Sequence, residues 1–137
     1  MKLYLKLLIT GEIKMSEAKK KLFIMVTNGP ENPELATIPF VMATSAQASD
    51  VEVVMGFQGN GSMLMIKGIA EHVAAKGFPT LVDMIGLYAE AGGKMYVCGP
   101  CVGARQVKDG ELVDGAVIVG GATFVSECLD STQSLIY

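Results

Sequence analysis

The stretch Lys94-Met95-Tyr96-Val97-Cys98-Gly99-Pro100-Cys101-Val102-Gly103-Ala104-Arg105 runs from an apolar strand-like segment, through a thiol-bearing turn, into residues that continue as a helix. A cysteine at such a junction meets the unpaired N–H groups of the first helical turn. Those groups favour a thiolate over a thiol and make the sulfur a usable nucleophile near neutral pH. Pro100 suits the first helical position, where its missing N–H would have had no partner.

The same strand-to-helix grammar recurs outward along the chain. Residues 22–26, 51–57, 94–97, 116–119 and 134–137 read as strands, too short for helices. Between them, 34–48 is rich in helix-tolerant apolar residues, with Pro39 arguing for a kink or a late start. One or two helical turns fall within 63–75, broken near Gly68. A helix is expected over 79–91, capped by Thr80, with Asp83 in its first turn and Gly92-Gly93 ending it. A short helix covers 122–129. Asp109-Gly110 and Gly120-Gly121 are turns.

The strands are continuously apolar rather than alternating. That pattern predicts an α/β fold of three layers, a mostly parallel sheet with helices on both faces, flavodoxin-like in outline. Such sheets carry their sites at the carboxyl ends of the strands, which draws together the loops 27–31, 58–61 and 98–101. Asn28, Gly29, Gln58, Gly59 and Asn60 are the candidate substrate-binding residues there, shaping the cavity over Cys98. Arg105 lies four residues after Cys101 and shares its helix face. It either offers positive charge to a bound anion or is simply solvated.

Composition narrows the function classes. Of 137 residues, 50% are hydrophobic and 18% charged, with a mean hydropathy of +0.41. That surplus calls for a covered face, and a subunit interface is the ordinary way to cover one. A net charge of −3 leaves no electrostatic footprint for nucleic acid. Three cysteines, two of them only three residues apart, do not make a secreted disulfide scaffold, so a reducing cytoplasm is expected. The apolar start, Met1 to Ile9, is interrupted by Lys6 and is too short for a membrane span or a signal peptide. Residues 1–14 read as an extension before the domain at 15–137, either an appended or upstream-start segment, or an extra edge strand or oligomer contact.

Cys98 alone would be ordinary packing, since free cysteine buries well. The second thiol three residues on, the Gly-Pro between them and the strand-end position favour chemistry instead. Cys101 is either a resolving thiol or helix packing. Cys-Gly-Pro-Cys is the thioredoxin tetrapeptide, but here it falls late, no proline follows Pro100 and there is no tryptophan. A structural zinc site would need a second paired spacing, so no metal is expected. His72 reads as a partly exposed packing residue and Cys128 as core. Asn28-Gly29-Pro30 lacks the hydroxyl ladder of a flavin phosphate loop, and Gln58-Gly59-Asn60-Gly61 lacks a P-loop lysine. No cofactor is expected.

Four segments carry a resemblance: Thr27-Asn28-Gly29-Pro30-Glu31, Phe57-Gln58-Gly59-Asn60-Gly61, the run from Ala91-Gly92-Gly93 to Cys101, and the closing Leu135-Ile136-Tyr137. With them, Lys21 to Tyr137 resembles the DsrE-like family of sulfur-relay proteins with a YchN-like fold. The resemblance implies a homo-oligomer, trimer or hexamer. It also implies that Cys98 accepts sulfane sulfur as a persulfide from a donor protein and hands it to an acceptor protein. The extra Cys101 departs from a one-thiol relay and would let the pair release sulfur by forming a disulfide. The expectation is a cytoplasmic sulfur carrier or sulfurtransferase. The alternatives are a dithiol redox protein or sensor cycling Cys98 and Cys101, and a non-enzymatic oligomer that binds a small ligand.

Overall fold

The computed structural model describes residues 19–137; the reading of residues 1–14 lies outside them. Five strands form one all-parallel sheet: β1 (Lys21–Val26), β2 (Glu52–Phe57), β3 (Lys94–Cys98), β4 (Ala116–Val119) and β5 (Gln133–Ile136), in the order β4-β3-β2-β1-β5. Helices α1 (Pro33–Ala48), α2 (Leu81–Glu90), α3 (Gly99–Ala104) and α4 (Gly121–Asp130) connect them. The chain winds β1 to β4 in one direction, then crosses back to lay β5 outside β1. The return crossover sends α4 to the face opposite α1 and α2, which gives the three layers expected from the apolar strands.

The alternation of side chains along each strand divides the core in two. Ile24, Val26, Val53, Met55, Phe57, Met95 and Val97 pack against α1 and α2, chiefly Phe40, Leu81, Met84 and Tyr88. Phe23, Met25 and Val54 turn to the other face, where Phe124 of α4 meets them and Tyr96, Cys98 and Val119 lie alongside.

Helix α1 starts before Pro39 and continues through it. Asn32 Oδ1 accepts the Leu35 N–H at 3.1 Å, and Pro33 opens the helix. Pro39 cannot donate to the carbonyl four residues back, yet it is itself buried. Phe40 beside it stacks on Phe57 at 5.9 Å and meets Tyr88 edge-on at 5.9 Å. Tertiary packing overrides the local penalty. α2 follows expectation: Thr80 caps it through Asp83 N–H at 3.4 Å, and Gly92 leaves it at φ +85°.

Two further expectations change. The turns placed within 63–75 are 3₁₀ turns at Gly59–Met65 and Ala70–His72, so helical winding begins inside the loop that follows β2. Cys128, read as core, is exposed, with its Sγ 3.3 Å from Ser134 Oγ. The apolar positions of α4 do not all turn inward: Phe124 enters the core while Val125 and Leu129 stay in solvent. His72 is exposed on its 3₁₀ turn.

Candidate functional site

The loops after β1, β2 and β3 emerge side by side because the three strands are parallel neighbours. Gly29 is buried between two of them. A Cβ there would run into the Asn60 carbonyl, so glycine is what lets the first loop lie against the second.

Cys98 ends β3 and stands at the N-cap of α3; Cys101 lies within that helix. Both are half-buried and joined by a disulfide, with Cα atoms 5.3 Å apart. Gly99 precedes Pro100, so the proline takes the second helical position rather than the first. The expected contact between Cys98 and the first-turn amides is not made: its side chain forms no capping hydrogen bond, and α3 is only six residues long. The amide that does reach a sulfur comes from the second loop. Gly59 N–H donates to Cys101 Sγ at 3.3 Å.

A polar network locks this arrangement. Arg105 Nη1 donates to the Cys101 carbonyl at 3.1 Å, and its Nη2 donates to Asn60 Oδ1 at 2.9 Å. Arg105 is therefore exposed but engaged, bridging α3 to the loop after β2. Glu31 completes the network: its Oε1 accepts the Gly29 N–H at 2.9 Å. Burial pushes its carboxyl up. The Gly29 and Glu31 N–H groups, the Asn60 side chain and the Arg105 charge outweigh that and hold it below its ordinary value. A carboxylate two residues after a glycine turn was the available signal, but spacing alone does not show which loop it faces.

The structure thus brings Gly29, Gly59, Asn60 and Arg105 into one cluster with Cys101. Asn28 is half-buried in the first loop. Gln58 turns to a groove of about 340 Å³ on the α4 side, lined also by Phe23, Met25, Phe124, Cys128 and Ile136. Cys98 packs beside the small core of that same face. Among the described residues no group of three His, Cys, Asp or Glu side chains is placed to hold a metal ion. No helix there is long and apolar enough to cross a membrane.

Comparison with known proteins gives this geometry a family. Residues 20–135 match the DsrE/DsrF-like family. The uncharacterized protein MJ0760 of Methanocaldococcus jannaschii is 31% identical over 106 residues, covering 77% of this chain but only 38% of that protein. The chain therefore spans well under half the length of that relative. Among solved structures, the ychN protein from E. coli aligns with a TM-score of 0.73 at 14% identity, over 86% of this chain and 99% of its own. MTH1491 from Methanobacterium thermoautotrophicum, titled a protein of unknown function, aligns with a TM-score of 0.64 at 12% identity, over 87% and 100%. At such identities the likeness is one of fold. The match over residues 20–135 goes further, and the chain belongs to the DsrE/DsrF-like family, which is associated with sulfur relay.

Proposed function

We propose that this protein is a sulfur carrier: Cys98 holds sulfane sulfur as a persulfide and passes it to a partner protein, with the surrounding loops shaping the approach. The observation that carries this reading is the position of Cys98, half-buried rather than sealed, at the carboxyl end of β3 in a family associated with sulfur relay. Cys98 and Cys101 are the reacting residues of the reading. Asn28, Gly29, Gln58, Gly59, Asn60 and Arg105 line or brace the substrate approach. Residues 15–137 form the working domain, placed in the cytoplasm. Intact-mass spectrometry after exposure to a low-molecular-weight persulfide tests it. Cys101→Ser, which keeps Cys98 as its strand-end thiol, should gain the mass of one sulfur atom, and Cys98→Ser combined with Cys101→Ser should not. Equal gain in both would end the reading.

The reading includes a homo-oligomer, trimer or hexamer. Val117, Ile118, Val125, Leu129 and Ile136 are exposed large hydrophobic residues, and a second copy is the expected cover. Leu129→Glu with Val125→Ser should reduce the particle to a monomer in analytical ultracentrifugation. An unchanged sedimentation coefficient would remove this face from the interface.

One observation favours a second reading. The disulfide between Cys98 and Cys101 supports a dithiol redox protein that cycles this pair. Such a protein should form and break the bridge reversibly and retain no added sulfur in either form.

A further inference from the structure

We propose that Cys101, not Cys98, is the sulfur held as a thiolate in the reduced pair, and that it resolves a Cys98 persulfide by releasing hydrosulfide. The proposal rests on the reading of Cys98 as the sulfur acceptor and gives Cys101 a separate task. The sequence offered Cys98 the amides of a helix start, but its side chain takes no hydrogen bond from α3. Cys101 Sγ receives the Gly59 N–H at 3.3 Å. A donor aimed at sulfur stabilises the charged form and lowers the thiol's pKa.

The donor is fixed independently of the disulfide. Gly59 sits at φ +54°, a backbone state glycine adopts freely. Its carbonyl accepts Ser62 Oγ–H at 2.6 Å, and Ser62 is buried. The next residue, Asn60, is tied through the Arg105 guanidinium to the carbonyl of Cys101 itself. One side chain thus spans the loop that carries the donor and the peptide that carries the acceptor. Arg105 and Asn60 act as positioning residues for the Cys101 sulfur.

The step balances without an outside oxidant. With an outer sulfur on Cys98, the Cys101 thiolate attacks Cys98 Sγ. A bond forms between the two cysteine sulfurs, and the bond from Cys98 Sγ to the outer sulfur breaks. The electron pair and the persulfide proton leave with the outer sulfur as hydrosulfide. The sulfane sulfur is reduced by two electrons and the two cysteines are oxidised to the disulfide. The 5.3 Å Cα separation lies within the range a disulfide spans. A dithiol reductant resets the pair. Transfer of the outer sulfur to an acceptor protein and release as hydrosulfide then compete, and Cys101 sets the second rate.

The test loads the full-length protein, reduced beforehand, with a low-molecular-weight persulfide, removes the excess, and follows hydrosulfide and intact mass. Wild type should release one hydrosulfide per chain and end as the disulfide. Cys101→Ser should keep the added sulfur on Cys98 and release none. If wild type retains its sulfur as long as Cys101→Ser does, the resolving role is wrong while the carrier reading survives. If neither protein takes up sulfur, both fail. A second measurement reads the thiolate assignment alone, from alkylation rate against pH. Cys101 in Cys98→Ser should show a lower midpoint than Cys98 in Cys101→Ser. Adding Arg105→Met to Cys98→Ser should raise the Cys101 midpoint while leaving the urea midpoint in place. A lower midpoint for Cys98, or no response to Arg105→Met, would overturn the assignment.

Discussion

The two faces of the sheet are built to different depths. On one, α1 and α2 lay Phe40, Leu81, Met84 and Tyr88 over the strands, and Phe40 is fully buried. On the other, among the described residues, α4 covers the strands and sends in one large side chain, Phe124. The rest of its apolar stripe faces outward, with Leu129 83% exposed and Ile136 of the neighbouring strand 76% exposed. The sulfur of Cys98 lies toward this second face. Packing is deeper on one side, and the cysteine proposed to carry sulfur lies toward the thinner one. Two truncations measure the difference. Phe40→Ala should cost about 3–5 kcal/mol, because its aromatic neighbours Phe57 and Tyr88 cannot close the cavity. Phe124→Ala should cost about 3 kcal/mol or less, since its site borders an open groove that can collapse or fill with water. Urea unfolding of both variants checks this, and equal losses would break the contrast.

The same asymmetry explains which parts of the molecule were legible in the sequence. Continuous apolar strands announce a parallel sheet, and β4 has the bounds its composition predicts, 116–119, although Val117 and Ile118 are exposed: composition marks the strand, not its burial. The convergence of the three loops followed from that topology alone. Cys128 was misread because a spacing such as Val125, Cys128 and Leu129 shows that a helix has an apolar face, not that this chain covers it. The late start that Pro39 argues for does not occur, because its penalty is local and the packing of Phe40 is not. At the site, the thiol argument points to the first-turn amides of α3, and Cys98 takes no hydrogen bond there. The Gly59 amide lies 42 residues from Cys101 in sequence, and no spacing rule joins them. Glu31 was missed for the same reason: its meaning lies in Asn60 and Arg105, on other loops.

Gly56 gives a finer test of the thin face. It lies on β2, and a Cβ there would stand 2.8 Å from Phe124 Cε1 and 3.1 Å from Phe23 Cζ. Its missing side chain is the space that Phe124 occupies. Gly56→Ala should cost about 1–2 kcal/mol by overpacking, with the Phe124 ring moving toward the groove. Because the strain falls on α4, amide hydrogen exchange should speed up in 121–130 and stay unchanged in α1 and α2. Loosening spread evenly over all three helices would show that the two faces are coupled more tightly than their separate cores indicate.

The smallest effect concerns what holds α4 in place once Phe124 has been accounted for. Lys21, at the start of β1, reaches Glu127 at 2.6 Å and Asp130 at 2.9 Å, both on α4. The Lys21 and Glu127 side chains are 12% and 17% exposed against 74% for Asp130, so the sheltered pair with Glu127 carries most of the interaction. Glu127 holds the ammonium above the ordinary lysine range, burial works against it, and Asp130 adds to the rise. A lysine whose pKa is raised on folding stabilises the fold fully below its unfolded value, about 10.4, and loses that contribution as pH climbs through the folded value. Lys21→Met should therefore cost about 1 kcal/mol at neutral pH. The gap between wild type and variant should stay constant up to about pH 10 and narrow above it. Added salt should narrow it only partly, because the Glu127 pair is sheltered. A gap that closes completely in salt at neutral pH would mean that the exposed Asp130 carries the pair and that α4 is held to β1 by Phe124 alone.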